Sequence, residues 1–336
     1  MTITHSAAEL RSLAERVLVA ADTSPENARP VAAALIAAEL DGIATHGLAR
    51  LPFYADQSAR GKVAGRAVPR LERPGKAVVR VDADNGFAYP ALDAGIAAAL
   101  PVARDCGVSV LAVTRSHHCG VLGHQVERIA REGLVSLFFS NTPAAIAPWG
   151  GKTALFGTDP IAFGCPRPNA PPLVVDAALS VAARGKIMVA ATKGEPIPEG
   201  WALDADGNPT TGAMAALGGT LVAVGGSKGA ALALVVELLA AGLTGANFGF
   251  QASSFFDSKG DPPGVGQLAI LFDPRTFGGE DTLAHCEELL QAMLQQPGVR
   301  LPGDRRLATR TRLEAEGIAI PRTLFDELTR RAAHGT

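Results

Sequence analysis

Apolar residues recur at helical spacing through residues 6–20 and 26–44, and Ser24-Pro25-Glu26 opens the second run with a capping side chain and a proline in the first turn. From Ala77 the period changes to two. A strand over 78–81, a helix from about 89 to 104 and a strand over 108–113 read as a β-α-β unit, followed by a helix near 121–131 and a strand over 134–140. Residues 142–172 are rich in Pro and Gly and read as a long loop, the kind of segment that carries function in a compact enzyme. A strand over 173–175 then runs to Asp176, a helix is predicted from Ser180, and 196–212 is turn-rich.

The longest apolar run, 230–243, belongs to a helix predicted over 228–243. Glu237 interrupts it and it falls short of the roughly 20 residues that cross a bilayer, so the pattern predicts a buried helix. Residues 267–272 resume as a strand. A helix over 281–295 aligns Leu283, Cys286, Leu289, Leu290, Met293 and Leu294 in one stripe, and one or two further helices follow Pro302-Gly303-Asp304. No internal repeat or linker divides the chain, so any domains are interleaved: a mainly helical part from 1–76 plus 280–336, and an α/β part over 77–279.

Composition narrows the class. The 336 residues are 47% apolar, mostly Ala, Val and Leu, with 37 glycines and 5% aromatics, as in a helix-rich α/β enzyme. With 31 basic against 33 acidic residues there is no net field to draw the chain to nucleic acid or an anionic membrane, which leaves small-molecule chemistry. Cys106, Cys119, Cys165 and Cys286 are scattered without a C-x-x-C pair and suit free thiols in a reducing compartment. The first 18 residues carry Glu9, Arg11, Glu15 and Arg16 and so lack the apolar stretch of a signal peptide. The expected location is the cytoplasm.

The Rossmann glycine fingerprint is absent. Its nearest string, Gly264-Val265-Gly266, follows two prolines and enters a strand, the wrong context for a pyrophosphate at a helix start. Gly150-Gly151-Lys152-Thr153 lacks the upstream glycine of a Walker loop. More informative is Asp41-Gly42-Ile43-Ala44-Thr45-His46-Gly47-Leu48-Ala49-Arg50, because a helix continued through it would place His46, Arg50 and Tyr54 on one face. A group that titrates near neutrality beside one that grips a carboxylate is what a reductase of small acids needs, although the spacing also fits a solvated helix end.

Ser116-His117-His118-Cys119-Gly120 and His124 do not follow metal-ligand spacing, and no metal is expected. Between a strand and a helix, that segment is better placed to meet a cofactor. Gly226, Ser227 and Lys228 precede a long helix and could bind phosphate or simply start the helix. Asp176 at a strand end suits a catalytic carboxylate or a cap. A hydrolase built on Ser116, a histidine and Asp176 would lack the G-x-S-x-G elbow.

Together these segments, with Pro148-Trp149-Gly150-Gly151, Leu155 to Gly164, the Lys228-Gly229 helix with Glu237, Leu243 to Phe248, and Arg300 to Arg306, resemble the malate/L-lactate/sulfolactate dehydrogenase superfamily nearly end to end. That superfamily also holds Δ1-piperideine-2-carboxylate/Δ1-pyrroline-2-carboxylate reductases. The resemblance implies an α/β, non-Rossmann fold with a mixed central sheet flanked by helical segments from both termini, and a homodimer. It implies an NAD(P)H-dependent reductase of a small 2-oxo acid or cyclic 2-imino acid, with a sulfolactate, malate or L-lactate dehydrogenase as the alternative.

Carried over, His46 is the proton donor, Thr45 and Asp176 form a relay with it, and His118 is its rival. Arg50 would grip the substrate carboxylate, with Thr158 and Tyr54 beside the substrate. Cofactor contacts fall on His117, His118, Gly120, Asp176, Ala177, Ala178, Gly226, Ser227, Lys228 and Leu301-Pro302-Gly303-Asp304-Arg305-Arg306. Arg305 and Arg306 would meet a 2′-phosphate, favouring NADP over NAD.

Overall fold

The computed structural model describes residues 1–334. The chain opens with β1 (Thr2–His5), α1 (Ala7–Ala20) and α2 (Pro25–Leu40). Ser6 and Ser24 cap the two helices by accepting the amides of Glu9 and Asn27, and a cap of this kind contributes about 1 kcal/mol. Leu10 and Val17 of α1 pack with Val31 and Leu35 of α2 in one buried cluster. Two single-turn 3-10 helices, Ala44–His46 and Leu48–Arg50, then lead into α3 (Leu51–Ala59). The expected continuous helix through His46, Arg50 and Tyr54 is therefore broken at Gly47, where the buried Glu39 carboxylate accepts the Leu48 amide at 2.7 Å.

Next come β2 (Arg70–Gly75), β3 (Val78–Asp82), α4 (Ala88–Cys106), β4 (Val108–Ser116), α5 (Leu122–Arg131), β5 (Val135–Ser140), β6 (Ile161–Cys165) and β7 (Leu173–Ala177). The β-α-β unit read from the alternation is β3-α4-β4, with the two strands parallel. β6 falls inside the stretch expected to be loop, because Pro160 and Pro166 flank a strand of only five residues. α6 (Arg184–Lys193) starts later than Ser180, whose hydroxyl donates to the Ala182 carbonyl. A small sheet of β8 (Ala202–Leu203), β9 (Pro209–Thr210) and β10 (Thr220–Leu221) surrounds α7 (Ala213–Gly218).

α8 (Ser227–Glu237) passes into a π-helical turn, Leu238–Gly242. This segment is not the wholly buried helix that its composition suggested: Val235, Leu238 and Leu243 are exposed, while Ala233, Val236 and Ala240 are buried. The chain closes with β11 (Val265–Phe272), α9 (Pro274–Gly278), α10 (Thr282–Leu294), α11 (Asp304–Glu316), β12 (Ile318–Pro321) and α12 (Arg322–His334). On α10 the expected apolar stripe buries Leu290 but leaves Leu289 in solvent.

The main sheet has seven strands in the order β2-β3-β4-β11-β5-β6-β7, all antiparallel neighbours except β3 and β4. It is the mixed sheet that the resemblance implied. β11, late in sequence, sits at its centre, with Leu111, Phe138 and Leu271 in one core under α4 and α5. β2 forms one sheet edge although it lies on the helical side of the expected boundary at residue 76. Helical segments from the two ends meet: β1 pairs with β12, and Ile318, Ile320 and Leu328 complete the α1–α2 core.

Candidate active site

A cleft of about 550 Å³ opens where the His46–Arg50 turns, the loop after β4, β7 and the start of α6 converge. Its volume is in the range that holds small ligands. His46, Arg50, His118, Gly120, Thr158 and Asp176 all line it, so residues far apart in sequence meet around one cleft.

The rings of His46 and His118 lie with centroids 5.4 Å apart. Thr45 Oγ1 is 3.1 Å from His46 Nδ1, and no other side-chain hydrogen bond engages the His46 ring among the described residues. Burial, then the charges of Arg50 and His124, bring the His46 pKa down to about 4. His118 is held from behind: the Tyr54 hydroxyl is 2.6 Å from its Nδ1, and Tyr89 follows at 3.4 Å from Tyr54. Burial pushes Tyr54 up to about 12, so it stays a phenol hydrogen-bonded to His118 Nδ1. Tyr54 is fully buried and outside the cleft lining, which corrects its expected contact with substrate. His117 is likewise buried, packed against Tyr54, Phe87 and Phe255, and its ring does not line the cleft.

Arg50 is 9% exposed. Its Nε donates to the Thr45 carbonyl at 2.9 Å and its guanidinium lies 4.4 Å over the Phe256 ring, yet among the described residues Nη1 is buried without a partner and no carboxylate pairs with the guanidinium. A buried cation with an unsatisfied donor on a cavity wall is a receptor for an anion.

The relay that the resemblance implied is incomplete. Thr45 reaches His46, but the Asp176 carboxylate accepts the Gly123 amide at 2.7 Å and makes no hydrogen bond to Thr45 or His46. Asp176 is exposed to solvent and lines the cleft. Thr158 is fixed by its amide, which donates to Thr142 Oγ1 at 2.9 Å. Beneath it, buried Asp159 and Glu237 hold the loops: Thr142 donates to Asp159, while Gly157 and Gly249 donate to Glu237. Burial and the charge of Glu237 push Asp159 well above the usual carboxylate range.

Of the expected cofactor residues, His118, Gly120, Asp176 and Ala178 line the cleft, whereas Ala177, Gly226, Ser227, Lys228 and Leu301 to Arg306 do not. Gly303 lies against Val174 on the outer side of β7. Arg306 is engaged at Nη1, which bonds Asp41 at 2.9 Å and also pairs with Glu127, while its Nη2 is buried without a partner among the described residues; Arg310 joins both carboxylates at 2.7 Å. Arg305 points to solvent. Sequence reasoning missed Thr142, Arg184 and Phe256 at the cleft. Arg184 carried a readable sign, a cation followed by glycine at a helix start just after a strand. Among the described residues no group of three or more His, Cys, Asp or Glu is arranged to hold a metal.

A family model described as malate/L-lactate dehydrogenase matches residues 5–329. The (2R)-3-sulfolactate dehydrogenase (NADP(+)) of Chromohalobacter salexigens is 54% identical over 320 residues, covering 95% of both chains. The Delta(1)-pyrroline-2-carboxylate/Delta(1)-piperideine-2-carboxylate reductase of Pseudomonas syringae pv. tomato is 43% identical over 334 residues, 99% of this chain and 97% of the relative. The crystal structure of delta1-piperideine-2-carboxylate reductase from P. syringae superposes with a TM-score of 0.93 at 42% identity, covering 98% of this chain and 99% of the other.

Proposed function

This chain belongs to the malate/L-lactate dehydrogenase family, and on that premise we propose that it is an NADP(H)-dependent oxidoreductase acting on a small 2-oxo acid or cyclic 2-imino acid. The alternative within the same chemistry is a 2-hydroxy-acid dehydrogenase of the sulfolactate, malate or L-lactate type, favoured by the 54% identity to the sulfolactate enzyme. The observation that carries the reading is one cleft lined by a histidine, His46, and by the buried guanidinium of Arg50, which among the described residues has no carboxylate partner.

The Arg50 guanidinium takes the substrate carboxylate, and Phe256 under it keeps it flat and aimed. His46 Nδ1 is engaged by Thr45, so Nε2 is the atom that delivers a proton to the substrate oxygen or nitrogen during reduction. The bound nicotinamide supplies the hydride that no side chain can. His118, held at Nδ1 by Tyr54, turns its other ring edge to the same cleft and orients the substrate.

The residues present fit such a cofactor. Gly120 has φ +69° and a bare Cα beside the cleft, where a side chain would collide with Tyr89, and the α5 N-terminus behind it has no side-chain cap. His118, Gly120, Asp176 and Ala178 would hold it, NADP being the expected form and NAD the lesser one. A homodimer follows from the same reading, supported by Val235, Leu238 and Leu243 standing exposed along α8 and its π turn. The four unpaired cysteines support a cytoplasmic location.

The test is a substrate panel: NADPH or NADH with pyruvate, oxaloacetate, sulfopyruvate and the two cyclic imines, followed by absorbance. Turnover of one of these supports the reading. No turnover with any of them, together with no NADPH binding by calorimetry, sinks it.

A further inference from the structure

Arg184 is the first residue of α6, and nothing said so far gives it a role. It lines the same cleft as Arg50, is partly buried, and donates from Nη2 to the Leu217 carbonyl at 2.9 Å. Among the described residues no carboxylate lies within ion-pair distance of it, although most other arginines drawn into the structure, such as Arg167, Arg306 and Arg310, are paired with acids. Burial lowers its pKa, a sign that its charge is held without compensation.

The start of α6 borders the same cleft as the reacting groups. Gly185, the next residue, approaches the Thr45 side chain, so the helix start is seated against the turns that carry His46 and Arg50. Its N-cap, Ala183, has no side chain to satisfy the first amides, which adds to the positive potential there. Arg50, nine-tenths buried with Nη1 unpartnered, faces the same space. Among the described residues Asp176 is the one acid lining the cleft, and its carboxylate accepts the Gly123 amide. A single substrate carboxylate neutralises one guanidinium and leaves the other bare.

We propose that Arg184 reads a second anionic group, a sulfonate or carboxylate on C3 of a 2-oxo or 2-hydroxy acid, so that the site selects dianionic substrates over pyruvate and cyclic imines. This deepens the oxidoreductase reading and rests on it. A cyclic imino acid brings only methylene groups to that place, which leaves the Arg184 charge desolvated and unpaired.

The experiment measures kcat/KM for sulfopyruvate, oxaloacetate, pyruvate and Δ1-piperideine-2-carboxylate in the wild type, Arg184→Met and Arg184→Lys, with NADPH affinity by fluorescence titration. The wild type is expected to prefer the two dianions. Arg184→Met is expected to cut the ratio of sulfopyruvate to pyruvate kcat/KM by about 100-fold, mainly through KM, with Arg184→Lys recovering part of it. A wild type that reduces pyruvate or the imine as well as the dianions, or an unchanged ratio in Arg184→Met, overturns the assignment and leaves the oxidoreductase reading intact. Weakened NADPH binding in Arg184→Met with an unchanged ratio also overturns it, by assigning the guanidinium to a cofactor phosphate. No reduction of any substrate by the wild type overturns both.

Discussion

The Tyr54 hydroxyl lies 2.6 Å from His118 Nδ1, tying a fully buried phenol to a histidine on the cleft wall. Tyr54→Phe removes that hydrogen bond and frees the His118 ring to rotate. A fall in kcat of about 10-fold with nearly unchanged thermal stability is expected, since the phenyl body still packs against Phe87. Steady-state kinetics beside a melting curve checks it; an unchanged kcat would remove His118 from substrate orientation.

The pH profile should report His46. Its pKa of about 4 in the free protein means that the proton-donating form is a minor one at neutral pH. For reduction, kcat/KM should therefore fall as pH rises above that value, approaching tenfold per pH unit. The break in kcat should lie higher, because substrate carboxylate on Arg50 offsets one of the charges that depress His46. Coincident breaks in the two profiles would contradict this coupling.

Gly47 is where the two turns meet Glu39. A Cβ there would overlap the buried Glu39 carboxyl, which is already engaged by the Leu48 amide. Gly47→Ala is expected to cost about 1–3 kcal/mol and to displace His46, lowering kcat more than it raises KM. Urea unfolding with kinetics measures both effects.

The Asp159–Glu237 pair has a worked sign. Asp159 keeps a proton in the folded protein at pH values where the unfolded chain has lost it, so the folded state binds more protons and stability falls as pH rises through the raised pKa. Asp159→Asn retains an acceptor for the Thr142 amide and lacks the titrating proton. Its stability relative to wild type should improve as pH is raised above the ordinary carboxylate range, read from unfolding midpoints at successive pH values.

Arg306 is expected to act as a strut. Arg306→Ala leaves Asp41, a fully buried carboxylate, with one fewer partner, and a loss of roughly 3 kcal/mol is expected, since breaking a buried pair strands its charge. NADPH affinity should stay near wild type when measured at a temperature where the variant is folded. A large loss of NADPH but not NADH affinity would return Arg306 to the 2′-phosphate.

The β3-α4-β4 unit, the cap at Ser24 and the central strand β11 were legible because each rests on local period or capping chemistry. β6 was hidden by flanking prolines. The apolar helix α8 was read as core because composition cannot distinguish a core face from an exposed apolar one, and Val235 and Leu238 are exposed. Tyr54 and His117 were misplaced because sequence order says nothing of depth: each sits one layer behind the wall that His46 and His118 form. Arg306 looked free because its partners, Asp41 and Glu127, are far away in sequence.

The central claim is that His46 supplies the proton in an NADPH-dependent reduction anchored by Arg50. Its most direct test compares NADPH oxidation by wild type and His46→Gln on the best substrate, with the NADPH dissociation constant of each. The account predicts wild-type turnover, a kcat lowered by about 10²–10⁴-fold in the variant, and nearly equal cofactor affinity. Wild-type-like kcat in His46→Gln would contradict it and move the proton to His118.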